Sequence, residues 1–425
     1  MTIDPTTPDA HVFLHIGTMK TGTSYLQQVL GRNTDVLAGD GAIYVAAGAP
    51  TTRGAIKEAL GKRGGASPDG PWSRLAGIAR DHHGSKSIIS NELISFADDE
   101  QAQKIVASFR PNPVTVIITA RDLARLLPSA WQNKVKHGRA WPYARYVNSV
   151  ISDEGPKGAS RSFWHHHDLA AIVDRWVAAA GADHVVVIPV PRRDAGPDAL
   201  WERFASVVGL NESGYDLTQD RRSNLSLGYA ETELLRHVNR RLHDHEDWSR
   251  HAKVVQRLLA NEVLRPDPSK PVANERPQLT PAQHEWTIEK SRELADHVAG
   301  SGVRVLGSLD ELVPDPMSEE EQRAAIASVP PETPEMFIDV VSALVVKLVD
   351  ASNAANTEDA SGDAGGGPDV EDDDWAEVLE HEERAEGAGR TAPEPERRRG
   401  GRRGGRAGAR ATNRARRIET PDGVA

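Results

Sequence analysis

One segment of the sequence combines residue types that bind anions. Residues 15–24 have the sequence HIGTMKTGTS, with an apolar run before them and a helical pattern after them. Glycines let backbone amides close around an anion, a helix N-terminus adds partial positive charge, and a lysine adds a full charge. The segment therefore predicts a phosphate-binding loop made by Lys20, Thr21, Gly22, Thr23 and Ser24.

The order of residues in this loop differs from the Walker A motif. That motif has the order G-x-x-x-x-G-K-[ST], whereas Lys20 precedes the second glycine here and Thr23 follows it. A Gly-Thr turn after a strand also occurs as a simple structural turn. From the loop alone, a structural turn remains an alternative.

A second segment makes the pattern more specific. Arg121 follows the apolar run at residues 116–120, and Ser129 lies eight residues later in a helical pattern. Together the two segments resemble the sulfotransferases that use 3′-phosphoadenylyl sulfate (PAPS). In that family the loop holds the 5′-phosphosulfate, and a strand-end arginine and a serine at this spacing hold the 3′-phosphate. An arginine can bind two phosphate oxygens at once. From the residues alone, an Arg121-Asp122 ion pair with an exposed Ser129 is the alternative.

A third segment, residues 87–92, is a short apolar run that ends in the carboxylate of Glu92. In the carbohydrate-modifying branch of the family, the glutamate after the corresponding strand takes the proton from the acceptor hydroxyl. The resemblance therefore implies that Glu92 is the base. Two other roles stay open for it, capping a helix from Leu93 onward or holding a metal as a Walker B acid. The small-molecule branch uses a histidine, which makes His137 the reserve candidate.

The resemblance implies group transfer without a metal. A sulfonyl group carries less negative charge than a phosphoryl group, so a lysine and backbone amides can stabilise it. Lys20 would contact the bridging oxygen, and Glu92 would deprotonate the acceptor for in-line attack. The co-substrate would be PAPS, and the acceptor a hydroxyl of a small molecule, more specifically of a carbohydrate or glycolipid.

The candidate residues follow short apolar runs, and these runs alternate with helical patterns along the chain. The runs lie at residues 12–16, 87–89, 114–119 and 184–190. This alternation predicts an α/β fold with a parallel central sheet flanked by helices, and such sheets bind ligands at the carboxyl ends of their strands. Together with the family resemblance, this alternation predicts a P-loop-like sulfotransferase fold with a helical second half. Residues 302–306 would return as a strand and residues 334–351 as a last helix.

Composition divides the 425-residue chain into a domain and a charged tail. Residues 351–425 hold 17 Asp and Glu and 12 Arg with few aliphatic side chains, which predicts disorder. We expect a disordered N-terminus at residues 1–10 and one domain at 11–350, with an α/β core at 11–215 and a mainly helical part at 216–350. The tail is acidic at 357–386 and then Arg/Gly-rich from Arg390 to Arg417. It would be either a solvated polyampholyte or a binder of RNA or another anionic partner.

Several classes of protein are disfavoured by composition. The chain has no cysteine, which excludes disulfides, thiolate zinc sites and a cysteine nucleophile. The consecutive residues His165, His166 and His167 cannot converge on one ion from a helix, so no metal is expected. The 12 Arg and 17 Asp and Glu of the tail account for −5 of the net charge of −11, which leaves −6 on residues 1–350 and argues against a general nucleic-acid or membrane-binding surface there. No basic leader and no apolar run near 20 residues is present, so we expect a cytoplasmic protein without a membrane span.

Two other functions remain compatible with the motifs. The first is a nucleotide kinase or NTPase that binds Mg-ATP and uses Glu92 as a magnesium ligand. The second is a non-catalytic scaffold with a sulfotransferase fold, which would bind RNA or a protein through the Arg-rich tail. Binding of adenosine 3′,5′-bisphosphate without metal distinguishes the sulfotransferase from the kinase, and turnover of PAPS distinguishes it from the scaffold.

Overall fold

The structure is a computed structural model of the whole chain. It describes residues 10–45, 50–61, 67, 69–156, 158–211, 213–218, 227–243, 254–264, 276–327 and 334–359. All of them belong to the first of two units into which the chain divides, Met1–Ala376 and Glu377–Ala425. The predictions for residues 1–9 and for the tail beyond residue 359, including Arg390 to Arg417, lie outside the described residues.

Six strands form one parallel sheet in the spatial order β2-β3-β1-β4-β5-β6. The strands are β1 (His11–His15), β2 (Ala42–Tyr44), β3 (Lys86–Ser90), β4 (Val114–Ala120), β5 (Val185–Pro189) and β6 (Arg304–Val305). In register, Leu14 of β1 lies beside Ile89 of β3 and Val116 of β4. The sheet confirms the predicted α/β class, and β6 is the predicted returning strand.

Both faces of the sheet are covered, which explains why its central strands are apolar almost throughout. Leu14, Ile89 and Val116 are buried in one core, and their neighbours Phe13 and Ile88 are buried in the other. Successive side chains of a strand point to opposite faces, so each strand contributes to both cores. Val and Ile are favoured at such positions because their branched side chains pack well on a pleated surface.

Helices connect the strands and make up most of the second half, as predicted. The first ten are α1 (Thr23–Arg32), α2 (Thr34–Gly39), α3 (Pro50–Ala59), α4 (Pro71–Arg80), α5 (Asp99–Ala107), α6 (Leu123–Lys136), α7 (Tyr143–Ser152), α8 (Ala159–His167), α9 (Leu169–Ala180) and α10 (Ala199–Val208). The later ones are α11 (Tyr229–Leu242), a π-helix (Val255–Val263), α12 (Pro281–Gly300), α13 (Glu319–Ala327) and α14 (Glu335–Asp359). Short 3₁₀ turns span Glu92–Phe96, Ala182–His184, Arg193–Ala195 and Leu309–Leu312. Within the described part of the chain, no helix has the length and apolar character to cross a bilayer.

The last helix is longer than the sequence pattern predicted. α14 continues to Asp359, whereas the apolar pattern predicted a helix over residues 334–351 and composition predicted disorder from residue 351 onward. The added turns contain Ala354 and Ala355, and alanine has the highest intrinsic helix propensity. Helix propensity therefore extends the element beyond the point at which its apolar pattern stops.

Candidate functional site

The loop at residues 16–22 lies at the carboxyl edge of the central strand. It joins β1 to α1, and β1 is flanked by β3 on one side and β4 on the other. After β1 the chain moves outward to β2, returns to β3 beside β1, and then crosses to β4 on the other side of β1. The sheet order reverses at this point, and open α/β sheets bind their ligands in the crevice formed there. The topology therefore places the predicted loop at the ligand edge of the sheet.

Two glycines are required by the shape of the loop. Gly17 and Gly22 have φ angles of 48° and 94°, in the left-handed region that favours glycine. A Cβ atom at Gly17 would lie 2.5 Å from Oγ1 of Thr23, and one at Gly22 would lie 2.5 Å from Cδ2 of Leu200. Lys20 also has a positive φ of 67°, which is uncommon for a residue with a side chain. The chain turns sharply at each of these three positions.

Hydrogen bonds to β4 hold the loop in this shape. The backbone N–H of Thr18 donates to the carbonyl oxygen of Thr119 at 3.0 Å. The hydroxyl of Thr21 donates to the carbonyl of Thr18 at 2.5 Å and lies 2.7 Å from the hydroxyl of Thr119. These hydrogen bonds connect the loop to the carboxyl end of β4.

The buried side chain of His15, the last residue of β1, lies next to the loop. His15 Nδ1 lies 2.8 Å from the hydroxyl of Ser90 on β3, and its Nε2 lies 3.2 Å from the hydroxyl of Thr119 on β4. Its side chain is fully buried, and burial lowers the pKa of His15 to about 3. The imidazole is therefore neutral at pH 7 and ties the ends of three strands together.

The N-terminus of α1 has the properties of an anion site. The carbonyl of Gly22 accepts from the N–H groups of Tyr25 and Leu26, and the first turn contains no acidic residue. The hydroxyl oxygen of Thr23 is buried and has no hydrogen-bond partner among the described residues. Backbone N–H groups and the partial positive charge of a helix N-terminus favour an anion. The local geometry therefore suits the phosphate that the sequence predicted here.

Arg121 contacts the loop directly. Its Nη1 donates to the carbonyl oxygen of Lys20 at 3.2 Å. The neighbouring Asp122 instead caps α6 by accepting from the N–H of Arg125 at 2.8 Å, and it also forms an ion pair with the Arg125 side chain. The alternative of an Arg121-Asp122 pair is thus replaced by an Asp122-Arg125 pair. The structure brings the guanidinium of Arg121 to the loop that carries Lys20.

The other two candidates on α6 lie farther along the helix. Ser129 is half-buried, two turns after the N-terminus of α6, and its sharing of one phosphate with Arg121 stays a prediction. His137 follows the last residue of α6, about 20 Å of helix rise beyond Leu123. Its Nδ1 lies 2.7 Å from the carbonyl of Asn133. The structure therefore places the reserve base at the opposite end of α6 from Arg121.

Glu92 lies next to the helix that follows the loop. Its Oε2 accepts from Nε2 of Gln27 on α1 at 3.3 Å, and the same amide donates to the carbonyl of Ser90 at 3.1 Å. The capping role that the sequence left open for Glu92 belongs to Asn91, whose side chain accepts from the N–H of Leu93 at 2.9 Å. Glu92 thus begins the 3₁₀ turn, and Gln27 ties its carboxylate to α1.

Sequence reasoning missed a cleft beside Arg121. Its polar lining includes Thr18, Arg121, His167 and Ser291, and leucines supply much of the remainder. Those leucines are Leu123, Leu126, Leu169, Leu294 and Leu312. His167 Nδ1 and the hydroxyl of Ser291 are buried without a hydrogen-bond partner among the described residues. The cleft has a volume of about 20 Å³, which is room for about one water molecule between these polar atoms.

His167 is neutral in this cleft. Burial lowers its pKa to about 3, and the positive charges of Lys134 and Lys20 act in the same direction. The neighbouring His166 packs on Phe96, with ring centroids 4.3 Å apart. Within the described part of the chain, no group of three or more His, Cys, Asp or Glu residues is placed to hold a metal ion. The sequence marked His167 only as part of a histidine run that does not suit a metal, and no motif marks Ser291, because only the packing of α8 and α12 brings the two residues to the cleft.

Comparison with known proteins adds little to this geometry. No family model and no curated protein matches the chain. A solved structure of a sulfotransferase from Alicyclobacillus acidocaldarius is similar at 15% identity, covering 57% of this chain and 99% of that chain, with a TM-score of 0.35. A TM-score this low does not establish a shared fold. The functional interpretation therefore depends on the residues of the site.

The loop conformation should make Gly17 irreplaceable. We expect Gly17→Ala to lower the free energy of unfolding by about 1–3 kcal/mol, because the added Cβ collides with Thr23 and the φ of 48° is strained for alanine. Gly31→Ala, on α1 with no atom within 4 Å of the added Cβ, is the control and should be neutral or stabilising by up to about 1 kcal/mol. Urea denaturation measures both. Equal stability of the two variants would contradict this account of the loop.

The neutral state of His15 predicts a pH dependence of stability. Its folded pKa of about 3 lies below the unfolded value of 6.5, so the unfolded chain binds the proton first. Stability should therefore fall as the pH drops below 6.5, by about 2 kcal/mol at pH 5 for one such group. Urea midpoints at pH 7, 6 and 5 should decline less for His15→Gln than for the unchanged protein. His83→Gln, at an exposed position, should keep the original slope, and an unchanged slope in both variants would refute the assignment.

Proposed function

We propose that this protein is a sulfotransferase that moves a sulfonate group from PAPS to an acceptor hydroxyl, favoured on a carbohydrate or glycolipid. The observation that carries the proposal is the 3.2 Å hydrogen bond from Arg121 to the carbonyl of Lys20. It puts the two cationic residues of the predicted motifs at one rim of the sheet. A nucleotide with phosphates on both ends of its ribose needs such a pair.

The two ends of the nucleotide would have different partners. Backbone N–H groups at the start of α1, the buried hydroxyl of Thr23 and the ammonium of Lys20 would bind the 5′-phosphosulfate. The guanidinium of Arg121, with the hydroxyl of Ser129, would bind the 3′-phosphate. ATP has no phosphate at the 3′ position, so Arg121 would discriminate between the two nucleotides.

The chemistry then follows from the charges around the loop. Lys20 and the N-terminus of α1 stabilise the negative charge that develops on the bridging oxygen as the bond from sulfur to that oxygen breaks. Glu92 accepts the acceptor's proton while the acceptor oxygen bonds to sulfur in line with the leaving phosphate. Gln27 orients Glu92 through its amide. The products are a sulfate ester and adenosine 3′,5′-bisphosphate.

Nucleotide binding tests the proposal against the magnesium-dependent alternative. We expect adenosine 3′,5′-bisphosphate to bind in the presence of EDTA, and Arg121→Ala to weaken binding about 10- to 150-fold, since a charged hydrogen bond is worth about 1.5–3 kcal/mol. Arg145→Ala, at an exposed position on α7, is the matched control and should leave the affinity unchanged. Titration calorimetry provides the measurement. Magnesium-dependent ATP binding with an affinity that Arg121→Ala does not change would favour a kinase or NTPase.

Transfer itself tests the roles of Lys20 and Glu92. A metabolite extract incubated with PAPS and the protein should yield species heavier by the mass of SO₃, detected by mass spectrometry. Lys20→Ala should abolish this product, and Glu92→Gln should slow its formation about 10²- to 10⁴-fold while bisphosphate binding is retained. Glu100→Gln, on the exposed side of α5, is the control with an unchanged rate. Normal transfer by Lys20→Ala would reject the mechanism, and no transfer by the unchanged protein would favour a scaffold.

A further inference from the structure

Two buried polar atoms belong to residues that line the cleft beside Arg121. They are Nδ1 of His167 on α8 and the hydroxyl oxygen of Ser291 on α12. Ser291 retains 2% of its accessible area and His167 retains 6%. Neither atom has a hydrogen-bond partner among the residues that the structure describes. Buried polar atoms in folded proteins are nearly always hydrogen-bonded to protein or to ordered water, so both atoms require a partner in the cleft.

The helices that carry these two residues do not supply the partner. Nδ1 of His166 on α8 contacts the carbonyl oxygen four residues before it. The hydroxyl of Thr287 on α12 donates to the carbonyl oxygen three residues before it at 2.6 Å. Such bonds to the preceding turn are common local partners of polar side chains in helices. Nδ1 of His167 and the hydroxyl of Ser291 make no such bond, so both atoms can bind a group inside the cleft.

We propose that one buried water molecule in this cleft links His167 and Ser291 to Arg121 and so positions its guanidinium. The volume of about 20 Å³ is room for one water molecule. A buried water makes about two to four hydrogen bonds to the protein. The polar residues around the cleft, which also include Thr18 of the loop, supply that number. His167 and Ser291 are then positioning residues.

The donors and acceptors around the cleft match those of a water molecule. A guanidinium only donates, so Arg121 would donate to the water oxygen. The two water hydrogens would go to the hydroxyl oxygen of Ser291 and to Nδ1 of His167. Burial, together with the positive charges of Lys134 and Lys20, lowers the pKa of His167 to about 3, so its imidazole is neutral and has one nitrogen that accepts. An imidazolium could not accept this bond and would add a second positive charge beside the guanidinium.

The water would connect the second half of the chain to the loop. Arg121 already donates to the carbonyl of Lys20 at 3.2 Å, which holds its guanidinium against the loop. The water would hold the same group relative to α8 and α12. Ordering a long side chain costs free energy when a ligand binds, and a side chain that is held in place beforehand costs less. This consequence for binding rests on the proposed function, in which Arg121 binds the 3′-phosphate.

A crystal structure that shows ordered waters tests the site without any nucleotide. The unchanged chain should have one water within about 3.2 Å of Nδ1 of His167, the hydroxyl of Ser291 and a guanidinium nitrogen of Arg121. In Ser291→Ala this water should be lost or displaced, and the guanidinium should move from the carbonyl of Lys20. A dry cleft, a water that does not contact Arg121, or an unchanged guanidinium in Ser291→Ala would overturn the proposal.

Nucleotide affinity tests whether the water acts through Arg121. Ser291→Ala should weaken binding of adenosine 3′,5′-bisphosphate about 2- to 10-fold, because the guanidinium must then be ordered on binding. The same substitution should have no effect in the Arg121→Ala background. Equal weakening in both backgrounds would show a merely structural role and overturn the positioning.

A matched control separates this effect from the loss of any buried hydroxyl. Ser342 on α14 is 4% exposed, and its hydroxyl is likewise buried without a partner in the described ranges. Ser342→Ala should therefore leave the affinity unchanged, and a loss equal to that of Ser291→Ala would count against the proposal. An unchanged protein that does not bind the bisphosphate would reject the proposed function, whereas the two crystal structures would still decide whether the water is present and holds Arg121.

Discussion

The carboxyl end of β4 holds the candidate site together through one residue, Thr119. Its carbonyl accepts from the backbone of Thr18, and its hydroxyl contacts both Thr21 and His15. Two residues later, Arg121 reaches back to the same loop at Lys20. A single strand end therefore fixes the backbone of the loop and the position of the second cation. Any shift of β4 relative to β1 would move both proposed phosphate sites at once.

The distribution of charge follows from burial. His15 and His167 are kept neutral because they are enclosed, so neither adds positive charge to the site at pH 7. The positive field then comes from Lys20, Arg121 and the N-terminus of α1, all of which lie at the rim. Glu92 follows β3, on the other side of β1 from the strand that precedes Arg121, and Gln27 of α1 contacts its carboxylate. The proposed base and the proposed phosphate-binding arginine thus follow strands on either side of β1.

Contiguous features of the site were predictable from the sequence, and features that depend on packing were not. Apolar runs located every strand of the sheet except β2, which is only three residues long, and the glycines with Lys20 located the loop, because both are properties of neighbouring residues. The partner of Asp122 and the cap at Asn91 were not predicted, since each depends on which of several nearby polar groups the backbone favours. The position of His167 beside Ser291 and Arg121 was not predicted, because two distant helices meet only in the folded chain.

The far end of α6 is held by the second half of the chain. Asn239 of α11 donates to the carbonyl of Val135 in the last turn of α6 at 2.7 Å, and to that of Arg139 just after the helix at 3.1 Å. α14 in turn packs on α11. The other end of α6 is capped by Asp122, directly after Arg121. The positions of Arg121 and Ser129, the proposed ligands of the 3′-phosphate, therefore depend on contacts at both ends of one helix.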